Sequence, residues 1–511
     1  MRSPIHTIAV FITIFLAGCT VPLGPGFQHF TRKDLISETP ELASPAGAAS
    51  GQIHLRVTDQ LENTGNGEIA YLDVNVPAEP KFDVTSLSFR VNGREIKPAL
   101  VTRDPGAPTR IVFPTSWKPD EERSIVFDYD LGQGSSGNSA VAASADGFYI
   151  VDPSAFPSWR PPEGVFVRAD LRARSENLEF MFPAGFHVLA SGQEQQPAPD
   201  HSTTYEFHIS ATDFPPFAIG GRYQESVINA PLGRVTFWTS TTLDSNVAQA
   251  TAERLTATVA EYDRLFGFPT AGTKRHPAVQ PPIYVAESST LLPAVHASFE
   301  DEDNQADAST EPSALSFPEG ALLDKRAFAR GISSEPVLEL VEYEIAQTWF
   351  GWRVQVRPDA EVLLRDGMAL FAVIDAAGVR EGPAARNNRI SALITSFDHV
   401  RAQIPARVLT DATQNAPLVP VVPKTPEERA ASARKSALFF VALEDLAGKE
   451  KFERAMHRML RDLAGESASD ADLRSAMEAA TGRNLDSMFR EWISLSDLPP
   501  AFRQKYRPHQ P

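Results

Sequence analysis

Two carboxylates, a phenol and an amide form the one grouping in this 511-residue chain whose types and spacing could carry chemistry. Residues 340–352 read LVEYEIAQTWFGW, with Tyr343 and Gln347 four apart and Glu344 beside them. A helix places residues four apart on one face, one turn from each other. Asp366 follows after eighteen intervening residues. Glu344 and Asp366 could serve as a carboxyl pair for acid–base work, as in a glycosidase, although proximity is all that supports it. With Tyr343 they could instead hold a metal. A third reading makes Glu344 a buried structural carboxylate, hydrogen-bonded to Tyr343 or Arg365.

Other chemistries lack their residues. The eleven histidines contain no H-x-x-H or H-x-x-x-H pair, and there is no G-x-S-x-G motif. His201 and His208 flank a predicted strand at a spacing that suits no shared ligand, and His296 reads as a loop residue. The acidic stretch 299–313, FEDEDNQADASTEPS, lacks the glycine and ligand spacing of a calcium loop and reads as a solvated surface loop.

The elements that must position the grouping are helical. Ser334 is placed to cap, Pro336 suits a first turn, and Leu338, Val341, Ile345 and Trp349 make an apolar stripe. Asp359 is the expected cap of a second helix, which carries Asp366 and Gly367 and stops near Gly378. Upstream, residues 51–229 alternate apolar and polar side chains in short runs, and Asn92-Gly93 signals a hairpin. GRVTFWTS adds one strand, then a helical pattern runs to a stop at Gly267. Residues 426–446, 450–464 and 468–494 each read as an amphipathic helix. The fold class is α+β: an N-terminal antiparallel β sandwich or saddle (51–229), then a mostly helical domain (230–500) and a short tail (501–511).

At these residues the chain resembles the gluzincin aminopeptidases, the family of membrane alanyl aminopeptidase and leukotriene hydrolase. Their pattern is H-E-x-x-H-x(18)-E, with W-F-G after the second histidine and E-G-x-A around the last glutamate. Here Tyr343-Glu344-x-x-Gln347 precedes Trp349-Phe350-Gly351, and Asp366-Gly367-Met368-Ala369 follows at the same spacing. AEYDRLFGFP (260–269) and the closing helices around NLDSMFREWI extend the likeness over residues 60–500. The resemblance implies a thermolysin-like second domain. It assigns the metal positions to Tyr343, Gln347 and Asp366, and the general-base position to Glu344.

The same resemblance implies lost chemistry. A phenol ionises near pH 10 and is a poor zinc ligand. A neutral amide is outside the usual imidazole, thiolate and carboxylate set. Aspartate is one methylene shorter than glutamate, roughly 1.5 Å less reach. The family's oxyanion tyrosine, in Y-x-K-G, aligns with Ala433-Arg434-Lys435-Ser436, so the phenol is gone. Its amine-capturing G-x-M-E-N loop has only SFPEG (316–320) as a counterpart, which makes Glu319 the substrate-binding candidate. The expectation is a pseudoenzyme with no cofactor. A hydrolase with a non-standard zinc site is the alternative.

The N-terminus is an address. Arg2 precedes a short apolar run, residues 8–17, ending in Leu16-Ala17-Gly18-Cys19. That arrangement resembles a lipobox, with residues 1–18 removed as a signal peptide and Cys19, the only cysteine, acylated. Thr20 in place of Asp directs sorting to the outer membrane, facing the periplasm. Residues 19–50, rich in Pro, Gly, Ala and Ser, read as a flexible tether. A formal charge of −17 with no basic cluster excludes nucleic acid as a partner. The expected partners are the membrane, through Cys19, and a peptide or protein in the former active-site cleft.

Overall fold

A computed structural model describes residues 26–38, 51–97, 101–102, 108–135, 140–160, 166–167, 175–182, 185–194, 204–210, 215–267, 282–292, 312–318, 320–404, 425–464, 466–493 and 497–506. The N-terminal domain is built on a nine-stranded sheet. Its long members are β1 (Gly26–Glu38), β2 (Ile53–Glu62), β3 (Phe82–Val91), β4 (Glu122–Gln133), β5 (Ser175–Met181) and β6 (Thr204–Ser210). They lie in the order β6-β5-β1-β2-β4-β3, flanked by Gln193–Glu194 and Arg94–Glu95. Asn92 (φ 48) and Gly93 (φ 76) form the left-handed turn that the Asn-Gly pair predicts. Two four-stranded sheets cover the large one, and Trp117, Tyr129, Phe127 and Phe180 fill the core between them.

Three boundaries differ from expectation. The predicted tail, 501–511, begins inside a helix, Pro500–Tyr506, whose Phe502 and Tyr506 are buried in the second domain's core. The predicted tether, 19–50, contains β1, which pairs antiparallel with β2 and parallel with β5. Phe27 and Ile36 of this strand are fully buried. Burying each stabilises by about 1.5–3 kcal/mol, which anchors a segment that composition alone presents as free. The domain boundary also lies earlier than residue 229. Strand β7 (Gln224–Ala230) pairs with β8 (Gly233–Thr239), so it belongs to the second domain's sheet.

That sheet has five strands, in the order β7-β8-β9-β11-β10, where β9 is Ile283–Glu287, β10 is Ala314–Phe317 and β11 is Gly320–Leu323. Helix α1 (Ser245–Phe266) is capped by Asp244 and ends at Gly267 as expected. Helices α2 (Glu335–Ala346), α3 (Met368–Glu381), α4 (Pro383–Gln403), α5 (Pro426–Ala447), α6 (Lys449–Asp462), α7 (Asp470–Thr481) and α8 (Asp486–Ile493) share one core with the sheet. The single helix expected over 468–494 is therefore two, because Gly482 takes a left-handed conformation (φ 68) that closes α7. Among the described residues no helix is long and apolar enough to cross a membrane.

Candidate functional site

Helix α2 carries the motif and is buried on all sides. Every residue from Val337 to Ala346 is buried, which exceeds the one-stripe expectation. Ser334 stands at the N-cap position, but its hydroxyl donates back to Gly331 O at 2.7 Å and caps nothing. The helix ends at Ala346, with Gln347 still in the right-handed helical region (φ −68, ψ −9). Tyr343 and Gln347 thus keep their one-turn relation. Beyond them, Trp349 Nε1 donates to Gly267 O at 2.6 Å and ties the helix end to α1. Gly351 sits at φ 134, and a Cβ there would stand 3.0 Å from Arg365 Cδ and 3.1 Å from Gln347 O. Only glycine lets this turn lie on Arg365.

The second helix begins as a π-helical segment, Val362–Gly367, before continuing as α3. Such wide turns recur at functional sites and aim side chains a regular helix would turn away. This one carries Arg365 and Asp366 into the pocket. A Cβ on Gly367 would come within 2.3 Å of Ser436 Cβ, so glycine lets α5 close directly over the segment. Arg429, on the same face of α5 two turns before Ser436, then reaches Asp366.

The structure brings together Tyr343, Glu344, Gln347 and Asp366, as the sequence predicts, and adds two guanidinium groups. Asp366 is 3% exposed, with Arg429 at 2.8 Å and Arg365 Nε at 3.4 Å. Glu361 bridges the same arginines, at 2.9 Å from Arg365 and 3.3 Å from Arg429. Burial lifts the Asp366 pKa against the pull of both arginines. Glu344, 3% exposed, accepts from Gln347 Nε2 at 3.1 Å and from the Ser316 backbone N–H of β10. Burial pushes its pKa up to about 8, and neighbouring Asp366 adds to the rise while Arg365 opposes it. The Tyr343 phenol is pushed far above its ordinary value by burial and by the Asp366 and Glu344 charges.

These donors do not fit zinc. The phenol holds its proton, Gln347 offers only a neutral amide oxygen while its Nε2 donates to Glu344, and the Asp366 carboxylate is already bound by two cations. Among the described residues no three His, Cys, Asp or Glu side chains converge in a way that could hold a metal. The position that the resemblance gives to the oxyanion tyrosine carries no phenol. Ala433 is buried on α5, Arg434 turns to Ser396 Oγ on α4 at 2.7 Å, and Lys435, drawn down to about 8 by burial, has Asp497 and Arg401 as its charged neighbours. His208 bonds Asn177 at 2.8 Å on the exposed face of the large sheet and takes no part in the pocket. Cys19, Glu319, His201, His296 and most of the acidic stretch lie outside the described residues.

Residues 303–492 match the model of the Peptidase family M1 domain. That part of the chain is similar to the M1 peptidases. The M1 zinc metallopeptidase of Deinococcus radiodurans has a similar fold: TM-score 0.56 at 15% identity, over 94% of this chain and 96% of that one. A point mutant of that enzyme, bound to a Tyr-Ser-Ala substrate, matches at TM-score 0.57 and 15% identity, over 93% and 96%. A two-domain M1 zinc metallopeptidase mutant bound to L-tryptophan matches at TM-score 0.56 and 15% identity, over 94% and 97%. No curated protein matches the chain by sequence. Arg429 is the residue beside Asp366 that sequence reasoning missed. It lies far along the chain from Asp366, and no local pattern points to the pairing.

Proposed function

We propose that this M1-fold protein is catalytically inactive and serves as a lipid-anchored binding or assembly module of the cell envelope. Its ligand is a peptide or protein taken in the cleft beside α2 and β10. The observation that carries this reading is the pairing of Asp366 with Arg429 and Arg365, which places two guanidinium charges beside the family's metal position. A dication and two guanidiniums compete for the same carboxylate, and at close range like charges repel strongly. Glu344 supports the same view: a carboxyl with a pKa of about 8 keeps its proton near neutrality and is a poor base there. The Deinococcus radiodurans mutant bound to Tyr-Ser-Ala makes a peptide the first ligand class to try. Cys19 carries the anchor in this reading, placing the protein on the outer membrane facing the periplasm.

The test is metal content. Full-length protein extracted in detergent is expected to hold no zinc above background by elemental analysis. Near-stoichiometric zinc that disappears in Glu344→Gln or Asp366→Ala would replace this reading with a metallohydrolase of unusual ligand set. Cys19→Ala is expected to abolish palmitate labelling and shift the protein from the membrane to the soluble fraction. Unchanged fractionation would remove the anchor from the proposal.

A further inference from the structure

A second charge cluster lies in the core of the N-terminal domain. Arg32 of β1 stands in register between Asp59 of β2 and Glu176 of β5. Its Nε bonds both oxygens of Asp34, at 2.9 and 3.1 Å, and lies 3.6 Å from Glu176 and 3.9 Å from Asp59. Its Nη1 donates to Pro157 O at 3.0 Å. Asp59, wholly buried, also meets His29 Nε2 at 2.9 Å and accepts from Trp159 Nε1 at 2.8 Å. Tyr129 of β4 faces the cluster and donates to Ala155 O at 2.9 Å. Asp34 and Glu176 thus crowd the same Arg32 Nε, and the Asp34 charge adds to burial in raising the Glu176 pKa, a crowding that one proton relieves.

Charge counting leads to the same proton. Three carboxyls face one guanidinium and one imidazole, so even a charged His29 leaves one negative charge in excess. An uncompensated charge in an apolar core is costly, and a group in that position takes up a proton instead. The location gives the proton leverage. In the order β6-β5-β1-β2-β4-β3, the parallel pairing of β1 with β5 is the seam between the two halves of the large sheet.

We propose that Asp34 and Glu176 share one proton that locks the β1–β5 seam, making the N-terminal domain a pH-responsive hinge that loosens as the proton is lost. Burial lifts the Glu176 pKa to about 8, and Asp34 rises for the same reason, while His29 and Arg32 hold Asp59 below its usual range despite burial. An acid whose folded pKa is raised stabilises fully below its free value. That contribution is lost as pH climbs from about 4.5, where the open seam ionises, to about 8, where the closed seam does.

The test is amide hydrogen exchange on the full-length protein, read as protection factors for peptides covering β1 and β5. Protection is expected to fall at least roughly tenfold between about pH 5.5 and about pH 8, then level off. Glu176→Gln, or Asp34→Asn if the first fails to fold, is expected to flatten this response. A wild type with constant protection, or variants that retain its pH dependence, would overturn the proposal. Infrared spectra give a second check. In a Glu344→Gln background a protonated-carboxyl band is expected near pH 6, and adding Glu176→Gln must take away the part of it that survives to about pH 7.5, since Asp263, raised by burial to about 7, contributes a band of its own. A surviving part unchanged by the second substitution would also overturn the proposal.

Discussion

Helix α2 carries four glutamates, and its two sides treat them in opposite ways. On one side Glu342 is completely buried, yet Arg254 at 2.8 Å, Arg380 at 3.3 Å and the Thr258 hydroxyl at 2.8 Å surround it. Glu335 and Glu339 extend the same lattice through Arg254 and Arg389. Hydrogen bonding from Arg254 pulls the Glu335 carboxyl down to about 2. On the other side Glu344 is as deeply buried but meets only an amide and a backbone N–H, and its pKa climbs to about 8. Two equally buried carboxyls of one helix thus meet different partners, guanidiniums around Glu342 and an amide with a backbone N–H around Glu344. The stabilising side of α2 is an ion lattice, and the side facing β10 and Asp366 holds an acid whose pKa is raised.

The largest effect should come from the lattice. Glu342→Ala leaves Arg254 and Arg380 without their buried partner, and breaking a buried pair in this way costs about 3–5 kcal/mol. Urea unfolding near pH 7 measures it. A loss below about 1 kcal/mol would mean that water reaches the guanidiniums and that the two sides of α2 differ less than the geometry implies.

The pocket side yields a change in zinc affinity. Tyr343→His, Gln347→His and Asp366→Glu together supply two imidazoles one turn apart and a longer carboxylate. The triple variant is expected to bind zinc weakly, because Arg429 still holds the carboxylate. Adding Arg429→Ala should raise affinity by about 10–100-fold, the scale on which neighbours of metal ligands act. Competition with a chromophoric zinc chelator reads this directly. Equal affinity with and without Arg429 would show that the guanidinium does not contest the metal position.

What could be read in advance divides along the same line as these effects. The α2 frame, the Gly267 stop and the Asn92-Gly93 turn are local patterns of a few residues, and each appears where the pattern puts it. Strand β1 escaped because several of its inward positions are His29, Arg32 and Asp34, so its buried face does not look apolar. Their counterparts on β2 and β5 lie far along the chain. Arg429 escaped for the same reason. A guanidinium in the first turns of α5 becomes a pocket residue only through the Gly367–Ser436 approach. Periodicity reports which face is apolar; it does not report which distant charge completes a polar site.

Arg429→Ala alone is expected to destabilise by about 1–2 kcal/mol. The full cost of a broken buried pair is reduced here because the arginine is about a third exposed and Arg365 remains beside Asp366. Asp366→Asn in the same chain should recover most of the loss, since an amide in place of the carboxylate no longer needs a counterion. A double-mutant cycle by thermal unfolding measures the coupling. Additive losses would remove Arg429 from the pocket's account and leave Arg365 as the operative partner.

The last effect is a slope, and it tests the comparison most directly. The Glu344 carboxyl holds its proton up to about pH 8 in the fold but ionises near its ordinary value once unfolded. Its contribution is therefore complete below about pH 4.5 and is lost as pH rises to about 8. Glu344→Gln has no proton to lose, so its stability relative to wild type should grow across that window by up to about 5 kcal/mol, then stay level. Glu335 runs the other way. Its depressed pKa of about 2 contributes stability above about pH 4.5 that disappears as pH falls through about 2. Since half of the Glu335 side chain is exposed, solvent screening keeps the Glu335→Gln effect to a few tenths of a kcal/mol near neutrality. Melting temperatures of the two variants against wild type from about pH 3 to about pH 9 should thus diverge in opposite directions. Parallel slopes would mean that Glu344 is ionised in the fold, and the contrast between the two sides of α2 would collapse.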